Sequence, residues 1–210
     1  MLTYLWANQL VQRPLLRDSM FRDRADQFKT RLNWQVKVDE NGFEKDEHDA
    51  LNPLYVIWET LQGLHQGSLR LLPTTGRTMV KDHFSHLMND QIISDPKIWE
   101  CSRFCLARHA ARHVASNLML AAGEAMVGFG VEECIAVFDQ RMIRIYRLLG
   151  AHPRIIGSSG TGKEFIGVGI WKFSAEHRET VSKKAGVPSN ISSQWFDLAF
   201  GAAQRQAKIG

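Results

Sequence analysis

The chain has few cysteines, and they lack the spacing of cysteine-dependent proteins. Its 210 residues contain three, Cys101, Cys105 and Cys134, with no CxxC pair among them. An odd number without close pairs argues against a disulfide framework. We therefore expect reduced, mostly buried thiols.

Long apolar runs are also missing, as is a secretory signal. No stretch approaches the roughly 20 apolar residues that a membrane-spanning helix needs. The first residues, Met1–Trp6, lack the basic region, apolar stretch and small-residue cleavage site of a signal peptide. We expect a cytoplasmic protein without stable membrane insertion.

Strong charge of one sign is absent too. The net charge is +4, from 26 basic and 22 acidic residues, which is too weak and too dispersed to favour nucleic-acid binding. A composition that is 44% hydrophobic and 23% charged is typical of folded globular proteins. No repeat or low-complexity linker interrupts the chain, so we expect one domain over residues 1–210.

Predicted strands and helices alternate along the chain, and several neighbouring strands are joined by short turns. Strands are predicted at residues 34–38, 54–58, 68–72, 98–104, 131–138, 155–156 and 165–173. Helices are predicted within residues 15–31, from Ser116 to about Gly128, from Asp139 to Gly150, and at 174–185 and 192–206. This order predicts an α/β fold with a mixed central sheet flanked by helices.

The segment Gly157–Lys163 nearly matches a phosphate-binding loop. Glu164 stands where the motif requires a Mg²⁺-binding hydroxyl, and a strand is predicted to follow instead of a helix. A hairpin turn is the better interpretation.

The segment His109–His113 places two imidazoles four residues apart, with Cys105 one turn earlier. A zinc protease motif needs glutamate after the first histidine, where Ala110 stands, and no third ligand is evident. We expect solvated histidines near a helix start and no metal site.

Two arginines lie inside apolar predicted strands. Arg70 and Arg103 would each be costly to bury without a partner. The carboxylates available to them are Glu100, Asp46 and Asp49. The sequence therefore predicts a cluster of buried or half-buried ion pairs.

The residues of this cluster belong to a longer pattern. Its parts are R-x3-F-x5-W from Arg24, E-x-D-x-x-D from Glu44, GSLRLLPT from Gly67, HF at 83–84, and WECSRF from Trp99. Singly, each part has an ordinary explanation as a solvated charge, a core aromatic or a polar loop. Together, in this order, they resemble the acyl-homoserine lactone synthase family, the autoinducer synthases of bacterial quorum sensing, over roughly the first 150 residues.

This resemblance implies a fold similar to that of the GCN5-related N-acetyltransferases. It also implies a reaction in which an acyl thioester, usually on acyl carrier protein and sometimes on coenzyme A, acylates S-adenosylmethionine. The products would be an acyl-homoserine lactone, methylthioadenosine and the freed carrier. S-adenosylmethionine is then a substrate, and no cofactor is implied.

The resemblance assigns the site residues as well. The residues expected to bind S-adenosylmethionine are Arg24, Phe28, Trp34, Asp46, Asp49 and Arg103, with Phe84 lining the site. Aromatic faces suit the adenine and sulfonium, carboxylates suit cationic groups, and arginine suits a carboxylate.

The residues expected to be catalytic are Glu100, Arg70 and Ser102. Arg70 and Glu100 are expected to hold the site together through ion pairs, and Glu100 to help remove a proton from the amine. Backbone N–H groups of residues 101–104 would stabilise the oxyanion. Cys101 stands where serine is familiar in relatives, and because no histidine pairs with it, we expect no acyl-cysteine.

Four residues are expected to line an acyl pocket: Met119, Met126, Ala136 and Phe138. Core packing is the alternative explanation for each. Ala136 occupies the place where members that prefer 3-oxo chains carry threonine, so an unsubstituted or 3-hydroxy acyl group is expected.

The predicted helix after Asp139 carries Arg141, Arg144 and Arg147, which spread over about a third of its circumference. They form either a solvated face or a docking surface for an acidic acyl carrier protein.

Two other functions remain open on the sequence alone. One is a related-fold N-acetyltransferase that uses acetyl-coenzyme A, which predicts a pyrophosphate loop that we do not find convincingly. The other is a non-catalytic protein that binds S-adenosylmethionine, which leaves the acyl-pocket residues unexplained.

Overall fold

The computed structural model describes residues 1–201. Its strands are β1 (Leu2–Trp6), β2 (Leu54–Glu59), β3 (His65–Pro73), β4 (Ile98–Leu106), β5 (Glu133–Asp139), β6 (Arg154–Ser159) and β7 (Ile166–Lys172). They form one sheet in the order β1-β2-β3-β4-β5-β7-β6. The pair β4–β5 is parallel, whereas β1–β2, β2–β3, β5–β7 and β6–β7 are antiparallel.

Helices flank this sheet. They are α1 (Ala7–Leu10), α2 (Pro14–Ala25), α3 (Met79–His83), α4 (His113–Phe129), α5 (Gln140–Leu149), α6 (Ala175–Ala185) and α7 (Ser189–Phe200). A π-helical segment, Asp26–Arg31, continues α2, and short 3₁₀ turns cover Glu47–Leu51, Ser85–Met88 and Gly162–Glu164. The predicted α/β class with a mixed sheet is confirmed. Within residues 1–201, every helix is too short or too polar to cross a bilayer.

The chain packs into two compact units. The first unit comprises residues 1–71 and 103–118, and the second comprises 72–102 and, within the described chain, 119–201. The expectation of one domain over residues 1–210 stays a prediction.

In the first unit, α2 lies against the antiparallel strands β1 and β2. Pro14 occupies the first turn of α2, where its fixed φ is favourable and its missing N–H costs nothing. The buried face of the helix includes Leu16 and Phe21, which pack in one cluster with Tyr55 and Ile57 of β2. This packing fixes the helix that carries Arg24.

In the second unit, β5 pairs with β4 on one side and β7 on the other. On one face of β5, Ile135 packs with Val168 and Ile170 of β7. The helix α5 follows directly. Asp139 caps it by accepting the N–H groups of its first turn, and Gly150 ends it with a left-handed φ of 72°. Both caps were predicted from the sequence.

Several other predictions are settled by the fold. The segment Gly157–Lys163 joins the antiparallel strands β6 and β7, so the hairpin turn is confirmed. His109 lies exposed in the loop before α4, and His113 is exposed at its start, as expected. The three cysteines are free thiols: Cys105 and Cys134 are buried and Cys101 is half-buried.

Other predictions are wrong. Residues 34–38 form no strand, because they have no partner beyond a single bridge between Val38 and Glu44. Ser116 does not cap α4, which begins three residues earlier; its hydroxyl donates to the His113 carbonyl. The last helix begins at Ser189, not at residue 192, and its predicted end at Gln206 lies outside the described residues.

Candidate functional site

Arg24 is a buried charge of the candidate site, with 1% of its surface exposed. Its Nε donates to Glu44 Oε2 at 2.6 Å. Its two terminal nitrogens bind the Asp49 carboxylate at 2.9 and 3.0 Å. Burial opposes the charged form, but Asp49 and Glu44 outweigh it and raise the pKa of Arg24. The Arg24 guanidinium therefore stays charged, and each of its three nitrogens donates to a carboxylate.

Arg70 lies on β3 and is completely buried. Its nitrogens bind Asp46 in a bidentate fork at 2.5 and 2.9 Å, and Nη1 also reaches Asp49 Oδ1 at 2.9 Å. The predicted need for carboxylate partners is confirmed for Asp46 and Asp49. The expected ion pair with Glu100 is wrong, because Glu100 accepts two backbone N–H groups instead.

Arg103 occupies an unusual backbone position in β4. Its φ of 52° lies in the left-handed region, which non-glycine residues rarely adopt and which costs energy. The turned side chain pairs with Glu44 Oε1 at 3.1 Å and Asp46 Oδ2 at 2.8 Å. With 12% of its side chain exposed, it is the most accessible of the three arginines.

These six residues form one charge-balanced group, which we call the ionic cluster: Arg24, Glu44, Asp46, Asp49, Arg70 and Arg103. Burial disfavours ionisation of Asp49, yet Arg24 and Arg70 outweigh it and lower the pKa of Asp49. The pKa of Asp46 is lowered in the same way, against burial, by Arg70 and Arg103. The cluster contains three arginines and three carboxylates, so its formal charges balance.

Two aromatic rings lie beside the ionic cluster. Phe28 and Trp34 stack with their centroids 5.1 Å apart and their planes at 10°. The Arg103 guanidinium carbon lies 5.5 Å from the Phe28 centroid. Phe28 is buried, but 38% of Trp34 is exposed, so Trp34 keeps surface for a further flat ring.

A cleft of about 500 Å³ opens next to the ionic cluster in the first unit. Its lining includes Asp46, Asp49 and Tyr55 together with the apolar side chains of Phe21 and Phe43. The Tyr55 hydroxyl donates to Asp49 Oδ1 at 2.6 Å. The carboxylate side of the cluster thus faces a space large enough for a small molecule.

A chain of hydrogen-bonded polar side chains links α2 to β3. Asp23 Oδ2 lies 2.7 Å from His65 Nδ1, and His65 Nε2 lies 3.0 Å from Ser68 Oγ. Burial lowers the pKa of His65, and Asp23 only partly opposes this, so the imidazole is neutral at pH 7. Asp23 directly precedes Arg24, and Ser68 lies on the same face of β3 as Arg70, so this chain links α2 to β3 close to both arginines.

Glu100, Ser102 and Phe84 belong to the second unit. Glu100 is fully buried and accepts the N–H groups of Met79 at 3.2 Å and Val80 at 2.6 Å. It therefore anchors the start of α3 to β4. Ser102 is buried on β4, and Phe84 is half-buried after α3, 6.3 Å from the His86 ring.

The expected acyl-pocket residues do not all come together. Ala136 and Phe138 share one face of β5 and are buried. Met126 is buried in α4. Met119 instead packs with Leu120 and Val181 in the cluster formed by the later helices, which is the core-packing alternative.

The three arginines of α5 are all exposed. Arg141 pairs with Asp139, the cap of its own helix, at 2.6 Å. Arg144 and Arg147 have no acidic partner within residues 1–201. The charge available to a partner is therefore mostly that of these two.

Sequence reasoning did not single out Glu44, Tyr55 or His65. Glu44 is the buried carboxylate that joins Arg24 to Arg103, and its place at the head of the E-x-D-x-x-D pattern was the only available signal. Nothing in the sequence distinguishes Tyr55 or His65 from ordinary strand residues.

Comparison with known proteins agrees with this geometry. The family defined as autoinducer synthase matches residues 8–181. An acyl-homoserine-lactone synthase from Rhizobium etli is 38% identical over 171 residues, 78% of this chain and 80% of that protein. A second, from Agrobacterium fabrum (strain C58 / ATCC 33970), is 33% identical over 147 residues, 66% of this chain and 69% of that protein.

Solved structures share the fold. The CoA-dependent acyl-homoserine lactone synthase BjaI, with SAM and isopentyl-CoA, superposes with a TM-score of 0.80 at 21% identity, covering 95% of this chain and 99% of that one. An N-acetyltransferase described as putative, from Lactobacillus plantarum, gives a TM-score of 0.56 at 14% identity, covering 82% and 99%. The chain therefore belongs to the autoinducer synthase family and is an acyltransferase, an acyl-homoserine-lactone synthase.

Proposed function

We propose that the enzyme transfers an acyl chain from a carrier thioester to the α-amine of S-adenosylmethionine and releases an acyl-homoserine lactone and methylthioadenosine. The observation that carries this proposal is the charge-balanced ionic cluster beside the Phe28–Trp34 stack. A substrate with an ammonium, a carboxylate, a sulfonium and an adenine needs charges and an aromatic face of this kind.

Within the ionic cluster, the residues have unequal freedom to touch a substrate. The Arg24 guanidinium is buried and bonded to carboxylates on both sides, so its role is to hold Glu44 and Asp49 in place. Arg103 is more exposed and binds the substrate carboxylate. Trp34 offers its exposed ring to the adenine.

The reaction follows from the chemistry of these groups. The amine loses its proton and attacks the thioester carbonyl, and the tetrahedral oxyanion is stabilised by backbone N–H groups around residues 101–104. Collapse expels the carrier thiol. The substrate carboxylate then attacks its own γ-carbon, which closes the lactone and breaks the bond to the sulfonium, releasing methylthioadenosine.

Glu100 and Ser102 lie on the strand that would border the reacting carbonyl. Each oxygen of Glu100 accepts one N–H group of α3 and keeps a further acceptor position for a proton, taken from the amine directly or through water. Cys101 forms no covalent intermediate. Replacing Cys101 with serine should therefore leave substantial activity, and near-complete loss would contradict this.

The acyl donor is a thioester of acyl carrier protein or coenzyme A. The exposed Arg144 and Arg147 would suit an acidic carrier protein, and they would equally attract the phosphates of coenzyme A. No cofactor is required, since S-adenosylmethionine is itself consumed.

The test is a product assay. Purified protein is incubated with S-adenosylmethionine and a panel of acyl-carrier-protein and coenzyme A thioesters, and the products are analysed by mass spectrometry. We expect an acyl-homoserine lactone and methylthioadenosine in equal amounts. Transfer of an acetyl group to another amine, or binding of S-adenosylmethionine without turnover by any donor, would contradict the proposal.

A further inference from the structure

Gln27, in the π-helical segment of the first unit, has a side chain that pairs with β4 much as a neighbouring strand would. Its Nε2 donates to the Phe104 carbonyl oxygen at 2.8 Å, and its Oε1 accepts the Leu106 N–H at 2.8 Å. Residues two apart on a strand direct these backbone groups to the same edge. One amide side chain therefore satisfies two backbone groups that a paired strand would otherwise satisfy.

Other side chains join the same two segments less securely. Arg31 Nη2 donates to the Leu106 carbonyl oxygen at 2.5 Å. Arg108 pairs with Asp26, but 54% of the Arg108 side chain is exposed, and exposed ion pairs contribute little. Gln27 makes two contacts, is half-buried and is uncharged, so its bonds are the ones that solvent and salt weaken least.

The attachment lies directly after a strained residue. Phe104 follows Arg103, whose φ of 52° costs energy and persists only where the surrounding structure holds it. The ion pairs of Arg103 hold its guanidinium. Gln27 holds the backbone that follows, so it anchors the strand at the point where the Arg103 side chain turns into the ionic cluster.

The other end of the attachment lies next to the aromatic stack. Gln27 directly precedes Phe28, and the Trp34 N–H donates to the Phe28 carbonyl oxygen at 2.8 Å, so both stacked rings belong to the segment that Gln27 anchors. The Arg103 guanidinium carbon lies 5.5 Å from the Phe28 centroid. The Gln27 side chain therefore fixes the distance between the stacked rings and the guanidinium.

We propose that Gln27 is a positioning residue, which sets the spacing at which Trp34 and Arg103 together bind S-adenosylmethionine. This inference rests on the proposed function, because it takes both groups to contact that substrate. Gln27 itself acts through the residues on either side of the attachment and does not touch the substrate. Without its amide, the enzyme folds and turns over but binds S-adenosylmethionine more weakly.

The experiment compares wild type with Gln27→Met, which keeps the length and the helix propensity of the side chain and removes both hydrogen bonds. We expect the KM for S-adenosylmethionine to rise about tenfold. The kcat and the KM for the acyl donor should hardly change, because the substitution loosens one binding site and leaves the reacting groups in place. An unchanged KM for S-adenosylmethionine, in a variant that keeps its melting temperature, would overturn the proposal.

Gln9→Met is the matched control. It also removes a bond between a glutamine side chain and the backbone, since Gln9 Oε1 accepts the Trp6 N–H at 2.9 Å at the start of α1. It should leave the KM for S-adenosylmethionine unchanged, and equal rises in the two variants would count against a specific role of Gln27. Gln27→Asn is a milder second variant, because its amide is one methylene too short to reach both backbone groups. It should shift the KM in the same direction.

Calorimetric titration with S-adenosylmethionine alone separates this proposal from the proposed function. A wild type that binds S-adenosylmethionine but forms no lactone with any donor would contradict the proposed function. The ratio of the Kd values of Gln27→Met and wild type would still decide the role of Gln27. A ratio of about ten supports positioning, and equal Kd values overturn it.

Discussion

The two units of the chain build their candidate sites from opposite materials. In the first unit, six charged side chains bind one another out of contact with most solvent, and a stacked aromatic pair lies beside them. In the second unit, Phe138 packs against the backbone of β7 at Gly167 and Gly169, among other aromatic rings. The fixed charges of the first unit suit a charged substrate. The apolar surface around Phe138 in the second unit suits an acyl chain.

The largest effect is expected from breaking the ionic cluster. Asp49→Asn leaves Arg24 and Arg70 buried with too little negative charge. Losing one partner of a buried ion pair costs about 3–5 kcal/mol. Urea unfolding at pH 7 should show that loss. The control is Glu132→Gln, which breaks the exposed pair with Lys97 and should change stability little; equal effects of the two would contradict a special role for the cluster.

The shape of the second unit is probed by filling the space under Phe138. A Cβ on Gly169 would lie 2.7 Å from Pro153 Cβ and 2.8 Å from Phe138 Cε1. Gly169→Ala should therefore destabilise the protein by about 1–3 kcal/mol and displace the Phe138 ring. Gly76→Ala is the control, because its Cβ would meet nothing nearer than the Pro73 carbonyl oxygen at 3.8 Å. Similar melting temperatures for the two variants would show that the Phe138 ring moves aside without a loss of stability.

Removing the exposed ring next to the ionic cluster tests whether the two units bind different substrates. Trp34→Ala should raise the KM for S-adenosylmethionine about tenfold, the loss expected for one aromatic stacking partner. The KM for the acyl donor should hardly change. Steady-state kinetics with each substrate varied in turn make this measurement. A larger effect on the acyl donor would argue against the assignment.

The smallest effect is expected at the surface of α5. Reversing the charge of Arg144 and Arg147 together should raise the KM for acyl carrier protein a few-fold and leave kcat nearly unchanged, because exposed charges act mainly on encounter. Kinetics at low ionic strength give the clearest readout. Reversal of Lys183, on α6, is the control. Equal changes for both sites would indicate a general charge effect, not docking.

The predictable parts of the fold were those with strong local signals. The α5 helix was bounded correctly by Asp139 and Gly150, since caps depend on neighbouring residues alone. The strand β1 was missed, because its existence depends on pairing with β2, more than 45 positions later in the chain. Residues 34–38 alternate like a strand but find no neighbouring strand to pair with.

The same distinction holds for the candidate site. The burial cost of Arg70 and Arg103 was visible in the sequence, so their need for carboxylates was predicted correctly. Asp46 and Asp49 were correctly named as partners, but Glu44 was not. Glu44 lies in a polar loop with Glu40 and Glu47, and of these three only Glu44 is buried in the folded chain. The left-handed backbone of Arg103 had no sequence signal either.

The lowered pKa values of Asp46 and Asp49 make the stability of the first unit depend on pH in acid. Above about pH 4, the ordinary pKa of aspartic acid, both carboxylates are ionised in the folded and the unfolded chain, and their contribution to stability is complete. Below that pH the unfolded chain takes up protons that the folded cluster refuses. Acid therefore favours the unfolded chain through Asp46 and Asp49. The first unit, which contains both residues, should unfold at a higher pH than the second.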